Sequence, residues 1–367
     1  MMRVLHLRSS AGFFGAERVL TTLLAALPGH GVAPLLVTVQ NYRSGDRALL
    51  EAAQGAGIAT LELPCGGRLS PRTLRQLLQV AREQGMQCIH THDYKSHAYG
   101  WLAARRLGLP LVATLHGWIS IDARLRLYQR VERLLLGGYD AVVTVSPSMS
   151  EQVRRWQPRR LYTIANGVDT ELFHPRRPAL GRERWGLAAE HFLFGTVARL
   201  SPEKGQWLLL EAFARIVPHQ PRARLLLVGE GPQRAALEQT VRHLGLEGRV
   251  VFAGQQGAIE HLLHDLDCYV SPSLTEGMPM IILEAMASGV PVIASRVGAL
   301  PEMLADEAGV LVPAGDAAAL AEAMAAALAS RLDLAAMAER AHRRCLERYS
   351  VVRQASAYAE VYADVRR

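Results

Sequence analysis

Short apolar, β-branched runs alternate with longer stretches of helical period from one end of the chain to the other. Strands buried on both faces are continuous apolar runs, whereas each connecting helix keeps a polar face, so this alternation reads as βαβ units and parallel sheets. In the first half the pattern predicts strands at 3–7, 35–39, 59–63, 88–92, 111–116, 141–146 and 161–165. In the second half it predicts strands at 192–198, 224–228, 250–253, 268–271, 290–294 and 310–312. Each half thus holds enough strands for its own doubly wound sheet. Asn166-Gly167-Val168-Asp169, with the aperiodic Pro, Arg and Gly that follow up to Gly186, reads as a hinge and linker, which sets a boundary near residue 170. The expected domains are 1–169 and 170–349, and the helical pattern after Ser350 (350–367) is free to pack back on the first. Ligands of open α/β sheets bind outside the carboxyl ends of the strands, so the loops there carry the search for function.

The chain has 367 residues, half of them hydrophobic and a fifth charged, which suits two ordinary globular domains and excludes disorder. Its apolar runs fall far short of the roughly 20 residues that span a bilayer. Arg3 interrupts the apolar start and no small-residue cleavage site follows, so a cytoplasmic protein without a signal peptide is expected. Cys65, Cys88, Cys268 and Cys345 stand singly, a pattern of reduced thiols that suggests neither a disulfide framework nor a zinc site. Charge is uneven: residues 1–175 hold 20 Lys+Arg against 12 Asp+Glu, and the remaining 21 against 22 leave that half nearly neutral. A basic first half suits an anionic membrane face or a phosphate-bearing acceptor, and equally a general basicity; nucleic acid is not the expected partner. Arg126, Arg130 and Arg133 add a basic stripe at helical spacing, read as a solvated face ahead of a lipid or pyrophosphate contact.

The most specific chemistry lies in Glu276-Gly277-Met278-Pro279-Met280-Ile281-Ile282-Leu283-Glu284. Gly277 and Pro279 mark a turn into a helix that leaves near Ser288-Gly289, so Glu276 belongs to the loop and Glu284 lies about two turns in. The free N–H groups of residues 278 to 281 suit a diphosphate, and a carboxylate on either side suits hydroxyls of a sugar and a ribose. Taken alone, Glu276 as a helix cap and Glu284 on a solvated face would be the simpler reading. Upstream, the strand at 192–198 runs into Arg199-Leu200-Ser201-Pro202-Glu203-Lys204-Gly205, which puts two cations in one loop. The chain has only two lysines, Lys95 and Lys204, against 39 arginines, so an ammonium there departs from its own habit.

Gly195 through Arg199 to Lys204-Gly205, with Glu276-Gly277-x-Pro279 through Glu284, resembles the retaining GT-B glycosyltransferases of the large family 4 class. The likeness takes in Gly12-Phe13-Phe14-Gly15-Ala16-Glu17, His116-Gly117, Ser146, Asn166-Gly167-Val168-Asp169 and Gly229-Glu230-Gly231-Pro232. The segments His92-Asp93-Tyr94-Lys95-Ser96 and His116-Gly117-Trp118 are similar to bacterial members that build surface polysaccharides or glycolipids, which makes His92 and Lys95 acceptor-side candidates. The resemblance implies two Rossmann-like domains facing each other across a cleft, with the first holding acceptor and the second the nucleotide sugar. It implies that Arg199 and Lys204 neutralise the donor diphosphate and that Glu284 takes the ribose hydroxyls. Glu276 and the backbone of Gly277, Met278, Pro279 and Met280 would hold the sugar and its phosphate. Gly15 would approach the phosphates from the first domain, and His116 would sit beside the sugar and acceptor hydroxyl. A strand-end histidine in a satisfied hydrogen bond is the alternative for His116. No cofactor or metal is expected, and UDP ranks ahead of GDP because it is the commoner donor. Closure about Asn166–Asp169 would exclude water.

Three patterns are set aside. Asp265-Leu266-Asp267 has the spacing of a metal-binding pair but precedes a strand at a helix end and reads as structural. His90 and His92 offer no evident third ligand, and alternate strand residues point to opposite faces, so a metal cluster there is not expected. Gly229-Glu230-Gly231-Pro232 lacks the third glycine of a dinucleotide fingerprint. The rival functions are a nucleotide-sugar epimerase or hydrolase and a non-catalytic binding protein for nucleotide sugar or membrane surface.

Overall fold

The protein is described by a computed structural model, covering residues 1–9, 15–41, 47–67, 69–116 and 133–366. Gly12–Phe14, Gly117, Trp118, Arg126 and Arg130 therefore lie outside the described residues. The chain divides into two compact units, Met1–Gly167 with Ser350–Arg367, and Val168–Tyr349.

In the first unit β1 (Met2–Arg8), β2 (Val32–Asn41), β3 (Ala59–Cys65), β4 (Cys88–Thr91), β5 (Leu111–Leu115), β6 (Ala141–Thr144) and β7 (Leu161–Thr163) form one sheet in the order β3-β2-β1-β4-β5-β6-β7. Every pairing is parallel. Strand β2 starts three residues before the apolar pattern suggests and includes Pro34. That proline pairs with Val4 of β1, while pairing to β3 begins only at Leu35, so its missing N–H is needed on neither side. In the second unit β8 (Phe192–Val197), β9 (Ala223–Val228), β10 (Val250–Gly254), β11 (Cys268–Ser271), β12 (Val292–Ser295) and β13 (Val310–Val312) run parallel in the order β10-β9-β8-β11-β12-β13. Both sheets reverse their winding beside their first strand, between β1 and β4 and between β8 and β11. Within each sheet, the connections from the two strands of that pair run to opposite sides, which is where doubly wound sheets open a ligand crevice.

Each sheet buries its own apolar core. Phe194, Leu209, Phe213, Leu225, Val270 and Met324 are among the residues that fill the second unit. The first is filled by Val4, Leu24, Leu36 and Val112 together with Tyr358 and Tyr362 from the last helix, Val351–Val365. Ser350 caps that helix by accepting from the Arg353 N–H. Its buried hydroxyls are satisfied: the Tyr362 hydroxyl pairs with His90 Nδ1 at 2.7 Å and the Tyr358 hydroxyl with Thr114 Oγ1 at 2.9 Å. Among the described residues no helix is long and apolar enough to cross a membrane.

Candidate active site

The loop after β8 carries Arg199, then a tight turn at Pro202–Lys204, then Gly205, from which the helix Gln206–Ile216 departs. Gly205 has φ of 65°, and a Cβ there would stand 2.3 Å from the Pro272 carbonyl oxygen. Only glycine lets the loop after β8 nest this closely against the loop after β11. Gln206 Nε2 donates to the Arg199 carbonyl at 2.9 Å and so holds the loop after β8 on itself, and the Leu274 N–H donates to the Glu203 carbonyl at 2.9 Å, which ties that loop to the one after β11. Lys204 Nζ consequently reaches Glu276 Oε1 at 2.7 Å, and Ser273 Oγ donates to the same oxygen at 2.7 Å.

The helix Met280–Ala287 begins after Pro279, which caps it without a side-chain hydrogen bond. Glu276 is therefore no helix cap; its carboxylate is turned to Lys204 and Ser273. Glu284 is on no solvated face either, since it has 0 % exposure on a helix whose neighbours Leu283, Ala285 and Met286 are equally buried. Taking a carboxyl out of water this completely is costly, so a glutamate at this position is unusual for an apolar helix face. Met278 and Met280 are buried too, which leaves their backbone as the part offered to a ligand. Beneath both glutamates lies Tyr269 of β11, its hydroxyl donating to the Val197 carbonyl at 3.2 Å. Burial holds that phenol above its ordinary range, and the two carboxylates push it further the same way, so Tyr269 is a neutral donor.

A third loop clamps the first two. Gly298, after β12, has φ of 55°, a Cβ on it would lie 2.2 Å from the Glu276 carbonyl oxygen, and the next N–H, of Ala299, donates to the Gly277 carbonyl at 2.9 Å. Gly298→Ala combines a left-handed backbone, about 1–2 kcal/mol, with a backbone clash of similar size, and is expected to lower the stability of the second unit by roughly 2–4 kcal/mol. Urea unfolding would read this, and an unchanged midpoint would show that the Glu276 loop is not held by Gly298.

In the first unit, Gly15 opens the helix Gly15–Ala26, and among the described residues a Cβ on it would meet nothing within 4 Å. Two residues on, Glu17 accepts from Arg8 Nε at 3.0 Å and Nη2 at 2.6 Å, and Arg8 Nη1 donates to the His92 carbonyl at 3.0 Å. The Ser9 N–H donates to Asp93 Oδ2 at 2.6 Å while Asp93 also caps the helix Tyr94–Leu107. The loops leaving β1 and β4 are thus tied at the switch point by groups the sequence did not mark.

His116 follows β5, and neither of its ring nitrogens has a hydrogen-bond partner among the described residues, so the satisfied strand-end histidine is not what the structure shows. Burial, then the Arg8 guanidinium, then His97 hold its imidazole down at about 3. His92 is 4 % exposed; it stacks on His116 at 5.9 Å between ring centroids and its Nε2 pairs with His6 Nδ1 at 3.1 Å. Lys95 turns toward Cys65, whose thiol is held below its ordinary value: burial, which raises it, is outweighed by Tyr99, the Gly67 backbone and Lys95. His92 is thus packed against His116, and Lys95 stands half-buried beside the Cys65 thiol.

Contrary to the expectation of opposite faces and no third ligand, His90 and His92 lie together with a third histidine. Residues 90 and 92 are two apart and share a face, their rings 4.1 Å apart, and β1 lies beside β4, so His6 supplies the third imidazole. Ligand atoms of His6, His90 and His92 lie within 4.8 Å of one another. His90 uses both ring nitrogens, Nε2 on Thr114 Oγ1 at 2.8 Å and Nδ1 on the Tyr362 hydroxyl, and His6 Nδ1 pairs with His92 Nε2, while His6 Nε2 and His92 Nδ1 have no hydrogen-bond partner among the described residues. Asp265 and Asp267 are structural as read: Asp265 accepts from the Gly181 N–H and Trp185 Nε1, and Asp267 from the Leu193 N–H and Arg182. Of the basic stripe only Arg133 is described, and it lies over the Trp156 ring at 5.0 Å.

Comparison with known proteins bears on this geometry. Residues 181–344 match the family described as glycosyl transferases group 1, and residues 14–172 match glycosyltransferase family 4. The chain is 30% identical over 305 residues to the putative glycosyltransferase EpsF of Bacillus subtilis, covering 80% of this chain and 79% of that one. It is 25% identical over 314 residues to the UDP-Gal:alpha-D-GlcNAc-diphosphoundecaprenol alpha-1,3-galactosyltransferase of Escherichia coli, with coverage of 80% and 79%. The crystal structure of Anabaena Alr3699/HepE in complex with UDP superposes with a TM-score of 0.87 at 26% identity, covering 99% of this chain and all of that one, and the same protein has been solved with UDP-glucose. With matched families on both units and a relative of this likeness across most of its length, the chain belongs to the GT-B glycosyltransferases of group 1 and family 4.

Proposed function

We propose that the protein transfers a sugar from UDP-sugar, ahead of GDP-sugar, to a hydroxyl of a glycan or lipid-linked acceptor, with retention at the anomeric carbon and without a metal ion. One observation carries this reading: at the β8/β11 switch point a lysine, a loop glutamate and a wholly buried helical glutamate are drawn into one locus. Lys204 and Arg199 would take the diphosphate, Glu284 the ribose, and Glu276 with the backbone of residues 277–280 the sugar. Gly15, without a side chain, suits a close approach of backbone to phosphate. His116, held neutral, would orient the acceptor hydroxyl. The bond from the anomeric carbon to the diphosphate oxygen breaks, the acceptor oxygen adds on the same face, and its proton passes to the departing diphosphate. The two relatives above, one a putative glycosyltransferase and the other a galactosyltransferase by name, weigh against the epimerase, hydrolase and non-catalytic readings. The acceptor reading leans on the lipid-linked acceptor in the name of the Escherichia coli relative. We place the enzyme in the cytoplasm, with its basic first unit suited to an anionic membrane face and not to nucleic acid.

The test is to supply UDP-glucose, UDP-galactose and UDP-N-acetylglucosamine with a crude polyprenyl-diphosphate glycolipid extract, in magnesium and in chelator, and to read the anomeric coupling of the product by NMR. An α-linked product from an α-donor at equal rates in both buffers is expected. An inverted product, or turnover only with magnesium, would sink the retaining or the metal-independent part.

A further inference from the structure

We propose that Lys204 and Glu276 form an ion pair which the donor's diphosphate takes apart, and that Ser273 is the positioning residue that keeps the Glu276 carboxylate in place once the ammonium has left. The inference rests on the donor reading above and deepens it. Both hydrogen bonds, from Lys204 Nζ and Ser273 Oγ, fall on one oxygen, Oε1, each at 2.7 Å. Oε2 accepts no hydrogen bond among the described residues, so the carboxylate is anchored on one side and presents the other to a sugar hydroxyl. The two anchors differ in freedom. Ser273 is 3 % exposed in the loop after β11, where Gly205 and Gly298 pin the backbone on either side of it. The Lys204 side chain is 26 % exposed on a flexible four-carbon stem at the end of a turn.

A diphosphate outbids a single carboxylate for that ammonium, since it carries more charge on more acceptor oxygens. The exchange has two consequences. Before the donor arrives, Glu276 competes for the cation and keeps nucleotide affinity below what Lys204 alone would give. After it arrives, Ser273 is the remaining hold on Oε1, so the serine matters when sugar is bound and little when the nucleotide binds alone.

The sequence itself supplies a clean probe, because Lys95 and Lys204 are the only lysines. Reductive ¹³C-methylation gives two side-chain NMR signals, assigned with Lys95→Arg and Lys204→Arg. In nucleotide-free protein, Glu276→Gln is expected to move the Lys204 signal and leave the Lys95 signal alone; no movement would show that the pair is not populated and would overturn the proposal. In the wild type, UDP is expected to move the Lys204 signal. Nucleotide bound with the signal unmoved would overturn the exchange while leaving the donor reading intact, whereas failure to bind UDP or GDP at all would take down the donor reading and the exchange together. By calorimetry Glu276→Gln is expected to tighten UDP about 3–10-fold, and weaker or equal binding counts against the competition. Ser273→Ala is expected to keep UDP affinity within about twofold and to lower turnover of the accepted UDP-sugar 10–100-fold, with Ser273→Thr restoring most of it. Equal losses in UDP affinity and turnover, or no rescue by threonine, would make Ser273 merely structural.

Discussion

Lys204→Ala is expected to weaken UDP binding roughly 30–100-fold, about 2–3 kcal/mol, by the same factor in magnesium and in chelator. The size follows from the contact being replaced, a charge-assisted hydrogen bond to a diphosphate from an ammonium already held at the mouth of the β8 loop. Independence from magnesium is expected on the same proposal, since a diphosphate neutralised by Lys204 and Arg199 would need no metal bridge. Lys204→Arg tests geometry against charge, because the guanidinium fork is longer and planar where the structure has a compact donor at 2.7 Å from Glu276. It is expected to recover part of the affinity. Glu284→Ala should cost UDP a comparable factor, since a buried carboxyl with zero exposure can serve a ribose only from that one place. Calorimetry on the three variants reads all of this. Unchanged binding in Lys204→Ala would remove the donor assignment from the β8 loop, and a loss confined to magnesium-containing buffer would hand the neutralising role to the metal.

The features that make this prediction possible differ in how far the sequence announces them. The strands are legible because both faces are buried, so each reads as an apolar run, and 268–271 and 310–312 are found where the pattern puts them. Ends are less so: β5 stops at Leu115 because His116 already leaves the sheet, and β12 starts only at Val292, after Gly289 with φ of 68° and Pro291. Glu276, Lys204 and Glu284 are visible as a motif, since charged residues in a glycine-rich turn and an apolar helix stand out by type. Their neighbours are not, because what qualifies them is contact across the sheet. Ser273 is an ordinary serine until the turn folds its hydroxyl onto Glu276, and Tyr269 is one more apolar strand residue until β8 lies beside it. Gly298 is 22 residues from the carbonyl it must clear, and nothing in the sequence between them links the two loops. His6 could be joined to His90 and His92 only by knowing that β1 and β4 are neighbours, although the i, i+2 spacing of the latter two already put them on one face.

That histidine column sets the second large effect: the first unit is expected to lose several kcal/mol of stability between pH 7 and pH 5. Burial pushes His6 and His116 down from an ordinary 6.5 to about 3, with Arg8 and then His97 adding to the effect at His116. His90 and His92 are lowered well below 6.5, by burial first and then by the neighbouring imidazoles. Facing them are Tyr358 and Tyr362 from the last helix, both raised by burial and neutral here, Thr114 from β5, and the Arg8–Glu17 pair from β1 and the first helix. A folded value below the unfolded one means that the unfolded chain binds more protons between about 3 and 6.5, so stability is fully present above 6.5 and falls as pH drops through that window. Each such imidazole contributes about 1.4 kcal/mol per pH unit once the pH is well below 6.5, so His6 and His116 alone account for about 4 kcal/mol by pH 5. That is a large part of the 5–15 kcal/mol a domain of this kind typically holds. Urea unfolding followed by hydrogen exchange in β1 and β4 at pH 7, 6 and 5 reads the slope, and His6→Gln and His116→Gln are each expected to flatten it by about 1.4 kcal/mol per pH unit. A flat profile would mean that the imidazoles protonate without unfolding, which needs water or a counter-charge inside the column. Because about 4 kcal/mol is less than such a domain holds, the first unit is expected to stay folded at pH 5 without denaturant, and with the His116 imidazole held down at about 3 a decline of activity between pH 6.5 and 5 is not assigned to its titration.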